Sequence, residues 1–456
     1  MATAPPVPPP KPVRRQLLRS PVAHLQILVV LAVLVGGGGV AYGLRNLAVQ
    51  LFALLVLALN GRRTIEFVQR GPRVLVALVL ATLALPLLQL VPLPPAVWRS
   101  LPQRDLAGES LAIAGYDAGI WYPFSLDRAR TLVAFCGTLA PATVIAVGTT
   151  LGQQGRIRLV RTLIVAALGA FALGTIQILS ANTAAFPFIN PPRPDILYAT
   201  FANRNSTGLF FVITLVALIA VPWPKGRGWL AAAWTAGALL TLGTILTQSR
   251  SSIVLLLVPI AFVVLRVAFA RFSASRANRV SFSPRIVVKT GLAALAAVIA
   301  VVAVAPDGGR VASSFARFET IETDRLGMWD DGTYVAGQYW PAGSGMGTFD
   351  EVFQVYESLE YVSPRRAGRA HNDYIEMAIE GGLTALLLAF AWLAWSGFAA
   401  LRRRSGGEDW LCLGGGLAIA CVAAQSLVDY PLRNQSLLCV VALMVILMAP
   451  RRDLEP

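Results

Sequence analysis

Ala370-His371-Asn372-Asp373-Tyr374-Ile375-Glu376-Met377-Ala378-Ile379-Glu380-Gly381-Gly382 closes the one long polar insert of an otherwise apolar chain and leads into a further apolar run. The insert opens near Arg325 and Trp329 and contains a glycine-rich turn, Gly343-Ser344-Gly345-Met346-Gly347. The only other histidine, His24, starts the first apolar segment, so His371 is the one imidazole placed to act as acid or base outside a membrane span. Apolar residues at Phe349, Val352, Phe353, Tyr356 and Leu359 recur at helical spacing and predict an amphipathic helix lying on the membrane or on the rest of the protein. A second helix is predicted to begin near His371, capped by Asn372 or Asp373, and to run through Gly381 and Gly382 into the next span. Asp373, Glu376 and Glu380 then share one face, placing a negative stripe beside the histidine.

The surrounding 456 residues are 56% hydrophobic and 14% charged, with a mean hydropathy of +0.63. That composition excludes an ordinary soluble domain and implies an all-α polytopic membrane protein. Runs of bilayer-crossing length, about 17 to 25 residues, are expected at 22–43, 46–60, 74–93, 130–151, 162–181, 205–222, 229–248, 251–270, 286–305, 382–400, 410–428 and 435–450, about twelve in all. The glycines from Gly36 to Gly39 are expected to loosen the first of them. The net charge of +15 lies in the loops and forms no aromatic-interleaved basic patch, which argues against nucleic acid. Cys136, Cys412, Cys421 and Cys439 fall inside predicted spans, so no disulfide framework, metal site or cofactor is expected.

Loop charge orients the chain. With the N-terminus in the cytoplasm, the inner segments carry 23 Lys+Arg against 5 Asp+Glu, whereas the outer loops carry 15 against 19. The expected organisation is a disordered cytoplasmic tail at 1–21, nine spans within 22–305, a large outer loop at 306–381, three spans within 382–450 and a cytoplasmic tail at 451–456. A loop of that size with few aliphatic residues is not expected to bury a core by itself.

Every chemically interesting residue then falls on the outer face. Arg250, in the tight Thr247-Gln248-Ser249-Arg250-Ser251-Ser252 turn, reads singly as a snorkelling anchor. Held that close to the bundle, its guanidinium also suits a phosphate oxygen. Arg325 and Trp329 sit one helical turn apart and admit the same two readings. Phe201-Ala202-Asn203-Arg204-Asn205-Ser206-Thr207-Gly208 reads as a helix start capped by Asn or Ser, or as a polar ligand site using Arg204 and Asn205. Asp429-Tyr430-Pro431-Leu432-Arg433 turns the chain between the last two spans, and turn chemistry explains its proline but not its aspartate. The acidic-x-acidic run Glu322-Thr323-Asp324 is too short to indicate a metal. His371, near acidic residues that can orient its ring, is the natural general base for a sugar hydroxyl.

In order, spacing and sidedness, the Asn-rich mouth of the sixth span, Ser249-Arg250, Arg325 to Trp329, Gly343 to Phe349, His371-Asn372 with Gly382, and Asp429-Tyr430-Pro431 resemble the O-antigen ligase and polymerase superfamily over roughly residues 130–445. One departure is Ala385, where the family often has glycine. The resemblance implies a GT-C-like helical glycosyltransferase of the bacterial inner membrane, acting at its periplasmic face. Its donor would be a glycan on undecaprenyl diphosphate and its acceptor a sugar hydroxyl of lipid A core or of another lipid-linked glycan, with inversion and without a metal. Arg250 and Arg325 match the arginines thought to hold the diphosphate, and His371 matches the residue assigned to acceptor activation. Arg204, Asn205, Asn372, Asp373, Glu376, Asp429 and Arg433 are the accompanying substrate-binding candidates, with Asp373, Glu376 and Asp429 all open as partners of His371.

Within the superfamily, O-antigen ligase is the first reading and polymerase the second. A protein O-oligosaccharyltransferase ranks third, because such proteins often carry a further C-terminal domain. A twelve-span transporter is the main rival from another class, but transporters usually place ionisable groups near mid-membrane, and these spans are almost free of charge.

Overall fold

The computed structural model describes residues 20–38, 43–180, 193–277, 323–360, 366–402 and 409–450. The chain opens on α1 (Pro21–Val35), α2 (Gly43–Leu59), α3 (Gly61–Arg70) and α4 (Arg73–Gln89). Two short helices, α5 (Pro95–Trp98) and α6 (Asp105–Ile113), lie in the next connection, bracketed by a two-residue antiparallel pair, β1 (Pro92–Leu93) with β2 (Tyr122–Pro123). Next come α7 (Arg128–Gly148), α8 (Gln153–Leu179), α9 (Arg204–Ala220), α10 (Arg227–Leu246), α11 (Arg250–Leu255) and α12 (Leu257–Ala277). The polar insert contributes α13 (Thr323–Tyr339) and α14 (Phe349–Tyr356), and α15 (Asp373–Leu401), α16 (Asp409–Gln425) and α17 (Gln435–Met448) follow.

Among the described residues, 6 helical segments are long and apolar enough to cross a membrane, or up to 7 if α2 and α3, bent by 81°, form one span. α4, α9, α16 and α17 are shorter apolar helices. All the expected spans fall on these helices except the ninth, 286–305, which lies outside the described residues. The protein is thus a helical membrane protein organised around α9 and α17, which are buried on nearly every side. α9 packs against α8, α10, α12 and α16, and α17 against α1, α7 and α16. A helix apolar all round needs such a position, with neighbours rather than water on every face.

Gly36 to Gly38 end α1 in a single 3₁₀ turn rather than loosening a longer helix. A Cβ on Gly37 would collide with the backbone of Thr200. Its bare backbone therefore reaches the α9 and α17 entries, where Gly37 O accepts from Ala202 N (3.1 Å) and Asn434 Nδ2 (2.9 Å).

The insert is joined to α15 through a break in that helix. Gly382 has φ +55, a left-handed conformation that interrupts α15 and frees carbonyls in the turn before it. The glycine turn supplies replacements: Ser344 N donates to Ile379 O (2.9 Å), Gly345 N to Glu380 O (2.8 Å), and Leu383 N donates to Pro341 O (3.0 Å). Phe349, Val352 and Phe353 of α14 pack with Val335 and Tyr339 of α13. Ala367, Ala370 and Ile379 complete that small core, with Leu126, just before α7, packed against it. The amphipathic segment thus lies on the bundle, and the insert borrows its core from α15, as its few aliphatic residues require.

Candidate active site

His371 sits one residue before the Asn372 cap of α15, whose Oδ1 accepts from Tyr374 N (2.9 Å) and Ile375 N (3.2 Å). Its own φ is +51, a conformation that costs a non-glycine residue roughly 1–3 kcal/mol. The surroundings enforce it. Trp329 Nε1 donates to Ala370 O (2.9 Å) and Ala370 N to Glu376 Oε1 (3.0 Å), pinning the preceding residue on both sides. Asn372 Nδ2 donates to Leu427 O (3.1 Å) and Asp373 N to Ser426 O (2.9 Å), clipping the start of α15 to the end of α16.

This clip brings the α16–α17 connection against the imidazole. His371 Nδ1 lies 3.1 Å from Asp429 Oδ1, and Asp429 is only 1% exposed. A carboxylate only accepts, so the ring proton belongs on Nδ1 and the Nε2 lone pair remains for other work. Asn203, which caps α9 through Oδ1, donates from Nδ2 to both oxygens of Asp429 (3.1 and 3.3 Å). Tyr430 packs edge-on against the imidazole at 4.9 Å between centroids. Burial, reinforced by Asp429, pushes the Tyr430 phenol up to about 12 and keeps it an O–H donor.

The acidic stripe of α15 has a different partner. Asp373, Glu376 and Glu380 are fully buried and surround Arg433. Its Nε lies 3.1 Å from Glu376 Oε2 and 3.7 Å from Asp373 Oδ1, and its Nη1 forms an ion pair with Glu380 Oε2 at 2.7 Å. Burial opposes the charge on Arg433, yet Glu380, Glu376 and Asp373 together hold its pKa above the usual guanidinium value. Arg369 adds a second cation on Glu376 (3.1 Å). Of the three acidic residues considered as partner of His371, the geometry therefore selects Asp429, while Asp373 and Glu376 face protein groups.

His371 and Arg433 line a cavity of about 1490 Å³. Its charged end also carries Tyr430, Arg130, Arg366 and Arg369 with Asp331, Asp350, Glu357 and Glu360, and the rest is walled largely by apolar groups such as Pro141, Trp392 and Val445. Along α7 the lining runs from Arg130 to Ile145, about 22 Å at 1.5 Å per residue. Large, mostly apolar, with a few polar groups gathered at one end, it has the form of a site for a long lipid with a charged head.

The other candidates are not in this lining, although Asp429, Asp373 and Glu376 stand directly behind His371 and Arg433. Arg250 is the first residue of α11, half-buried behind its Ser249 cap. Ser252 Oγ reaches Asn205 O (3.4 Å), so the Arg250 turn abuts the α9 mouth that bears Arg204 and Asn205. Arg250, Arg204, Asn205, Asn372, Asp373, Glu376 and Asp429 are not among the cavity-lining residues. Arg325 falls in the first turn of α13, and its side chain, like Glu322 and the side chain of Asp324, lies outside the described residues. Among the described residues no group of three or more His, Cys, Asp and Glu is placed to hold a metal ion. Sequence reasoning missed Arg130, Arg366 and Arg369, whose only signal was their charge at the edge of a predicted span or in the polar insert.

Residues 235–390 match the O-antigen ligase family model. The resemblance seen in the sequence is therefore borne out over α10 to α15, a stretch containing Arg250, the glycine turn and His371. The match supports a function of the O-antigen ligase and polymerase type, glycosyltransferase-like and involving lipid-linked glycans in a general sense. Asn203 and Asp429 lie outside the matched O-antigen ligase segment, one on each side, and reach its histidine only through the fold. No curated protein matches the chain.

Proposed function

We propose that this protein is an inverting glycosyltransferase that moves a glycan from undecaprenyl diphosphate to an acceptor sugar hydroxyl, as an O-antigen ligase acting on lipid A core. The observation that carries the reading is the Asn203–Asp429–His371 relay, which turns an imidazole toward the charged end of a deep apolar cavity. The polyprenyl tail would occupy the apolar reach, with its diphosphate among the guanidinium groups. The acceptor oxygen attacks the anomeric carbon as the bond to the diphosphate breaks, and its proton passes to Nε2 of His371. Asp429 stabilises the charge the ring acquires, as a buried carboxylate does in hydrolase triads. Arginines meet the charge on the departing diphosphate, so this chemistry calls for no metal. In this reading Arg250 and Arg325 have the donor-binding role that the resemblance implies, with Arg204, Asn205, Asn372 and Arg433 as accompanying substrate-binding residues.

The same reading takes the chain as a twelve-span, GT-C-like protein of the bacterial inner membrane, with both termini in the cytoplasm. The loop at 306–381 would then be periplasmic, between the nine spans of 22–305 and the three of 382–450. The test is transfer by purified protein from undecaprenyl-diphosphate glycan to lipid A core, with and without EDTA, alongside His371→Ala and Arg250→Ala. Transfer to core that survives EDTA and is lost in both variants is the expected result. Lengthening of the lipid-linked glycan would instead identify a polymerase, and absence of transfer to either acceptor would refute the reading.

A further inference from the structure

Asp350 occupies an unusual place in the cavity wall. It stands in the first turn of α14, with one carboxylate oxygen on each of two arginines from distant segments. Its Oδ2 lies 3.2 Å from Nη2 of Arg130, at the start of α7, and its Oδ1 lies 2.7 Å from Nε of Arg366, on the approach to His371. All three residues line the charged end of the cavity. Arg130 also pairs with Glu351 at 2.8 Å, and Arg366 makes a second bond from Nη2 to Asp350 O at 3.3 Å. The pairs are half-open to solvent, with side-chain exposures of 35% for Arg130, 54% for Arg366 and 21% for Asp350.

Two guanidiniums meet on the Asp350 carboxylate, one of them also held by Glu351, and at the charged end of a shaft shaped for a lipid they form a ready phosphate cradle whose present occupant belongs to the protein. Ion pairs this exposed are weak. A phosphate presents more oxygens and more charge to the same two forks. We propose that Asp350 is an internal stand-in for a substrate phosphate. Loading the donor displaces its carboxylate, and Arg130 and Arg366 then hold the diphosphate. This exchange rests on the function proposed above and adds residues that neither the motifs nor the family match single out, since Arg130 lies outside the matched segment. Glu351, paired with Arg130 at 2.8 Å, keeps the first turn of α14 on α7 while Asp350 is exchanged.

The test is equilibrium binding to the full chain in lipid nanodiscs of undecaprenyl diphosphate, with neutral undecaprenol and phosphorylated lipid A core as separate arms. Asp350→Asn should bind undecaprenyl diphosphate about three- to tenfold more tightly, with undecaprenol unchanged. Arg130→Gln and Arg366→Gln should each weaken the diphosphate lipid about tenfold or more. Arg366 is exposed enough that its replacement leaves the fold in place, so that arm stands even if Asp350→Asn is poorly folded. Unchanged or weaker diphosphate binding in Asp350→Asn, or unchanged binding in both arginine variants, overturns the exchange while leaving the transferase reading intact. Effects confined to phosphorylated lipid A core would move the cradle to the acceptor and also overturn it. Wild-type protein that fails to prefer undecaprenyl diphosphate over undecaprenol would instead remove the functional reading beneath it.

Discussion

Replacing Asp429 with asparagine should be more damaging than replacing it with alanine. Both oxygens of Asp429 accept from Asn203 Nδ2, and Oδ1 also meets His371 Nδ1. In Asp429→Asn the single remaining oxygen is claimed by Asn203, which turns the new amide N–H₂ toward the imidazole. A donor facing Nδ1 forces the ring proton onto Nε2, and the lone pair that would take the acceptor proton is lost. General-base assistance is typically worth about 10² to 10⁴ in rate, or about 2.7–5.5 kcal/mol of barrier. The loss in kcat for the asparagine variant should fall in that range. Asp429→Ala imposes no tautomer, and its loss should be about one order of magnitude smaller, about 10- to 1000-fold. Single-turnover transfer from a labelled lipid-linked glycan measures the rate, and equilibrium binding of the donor should change by less than about threefold in either variant. If Asp429 were merely structural, the nearly isosteric asparagine would be the milder change. That order, or donor binding that falls in step with rate, refutes the reasoning.

Arg433→Met removes the cation shared by three buried carboxylates, and breaking such a cluster costs about 3–5 kcal/mol. Thermal unfolding in detergent should register that loss, and adding Glu380→Gln should restore part of it. Gly382→Ala forces a side chain onto a backbone at φ +55 and into the Pro341 carbonyl, so it should destabilise by more than about 1 kcal/mol in the same assay. Trp329→Phe keeps the ring but deletes the bond to Ala370 O. Stability should fall by about 1 kcal/mol, with a larger proportional loss of kcat than of donor affinity.

The helices were legible because apolar runs of spanning length leave little alternative, and the Asn372 cap because its pattern is local. The acidic stripe on α15 was legible as a face of one helix, but its counter-ion was not. Arg433 lies more than fifty positions downstream of the stripe, and no periodicity links the two. The Asn203–Asp429 bond spans 226 positions and was hidden for the same reason. The segment holding Asn203 read as a helix start capped by Asn or Ser or as a ligand site; Asn203 proves to be the cap, and only packing decided which second element its Nδ2 serves. Arg130 and Arg366 went unremarked because each is an ordinary loop or helix-end arginine until the cavity brings them to one carboxylate.

The relay at His371 also fixes a sequence of events during biogenesis. Chain order delivers Asn203 first, the histidine well after it, and Asp429 only with the α16–α17 hairpin. Until that hairpin is inserted, the imidazole has no anion to set its proton, and the first half of α15 leans on the glycine turn that preceded it out of the ribosome. A chain cut before the α16–α17 connection therefore holds the histidine without its orientation, and competence waits on the insertion of that hairpin.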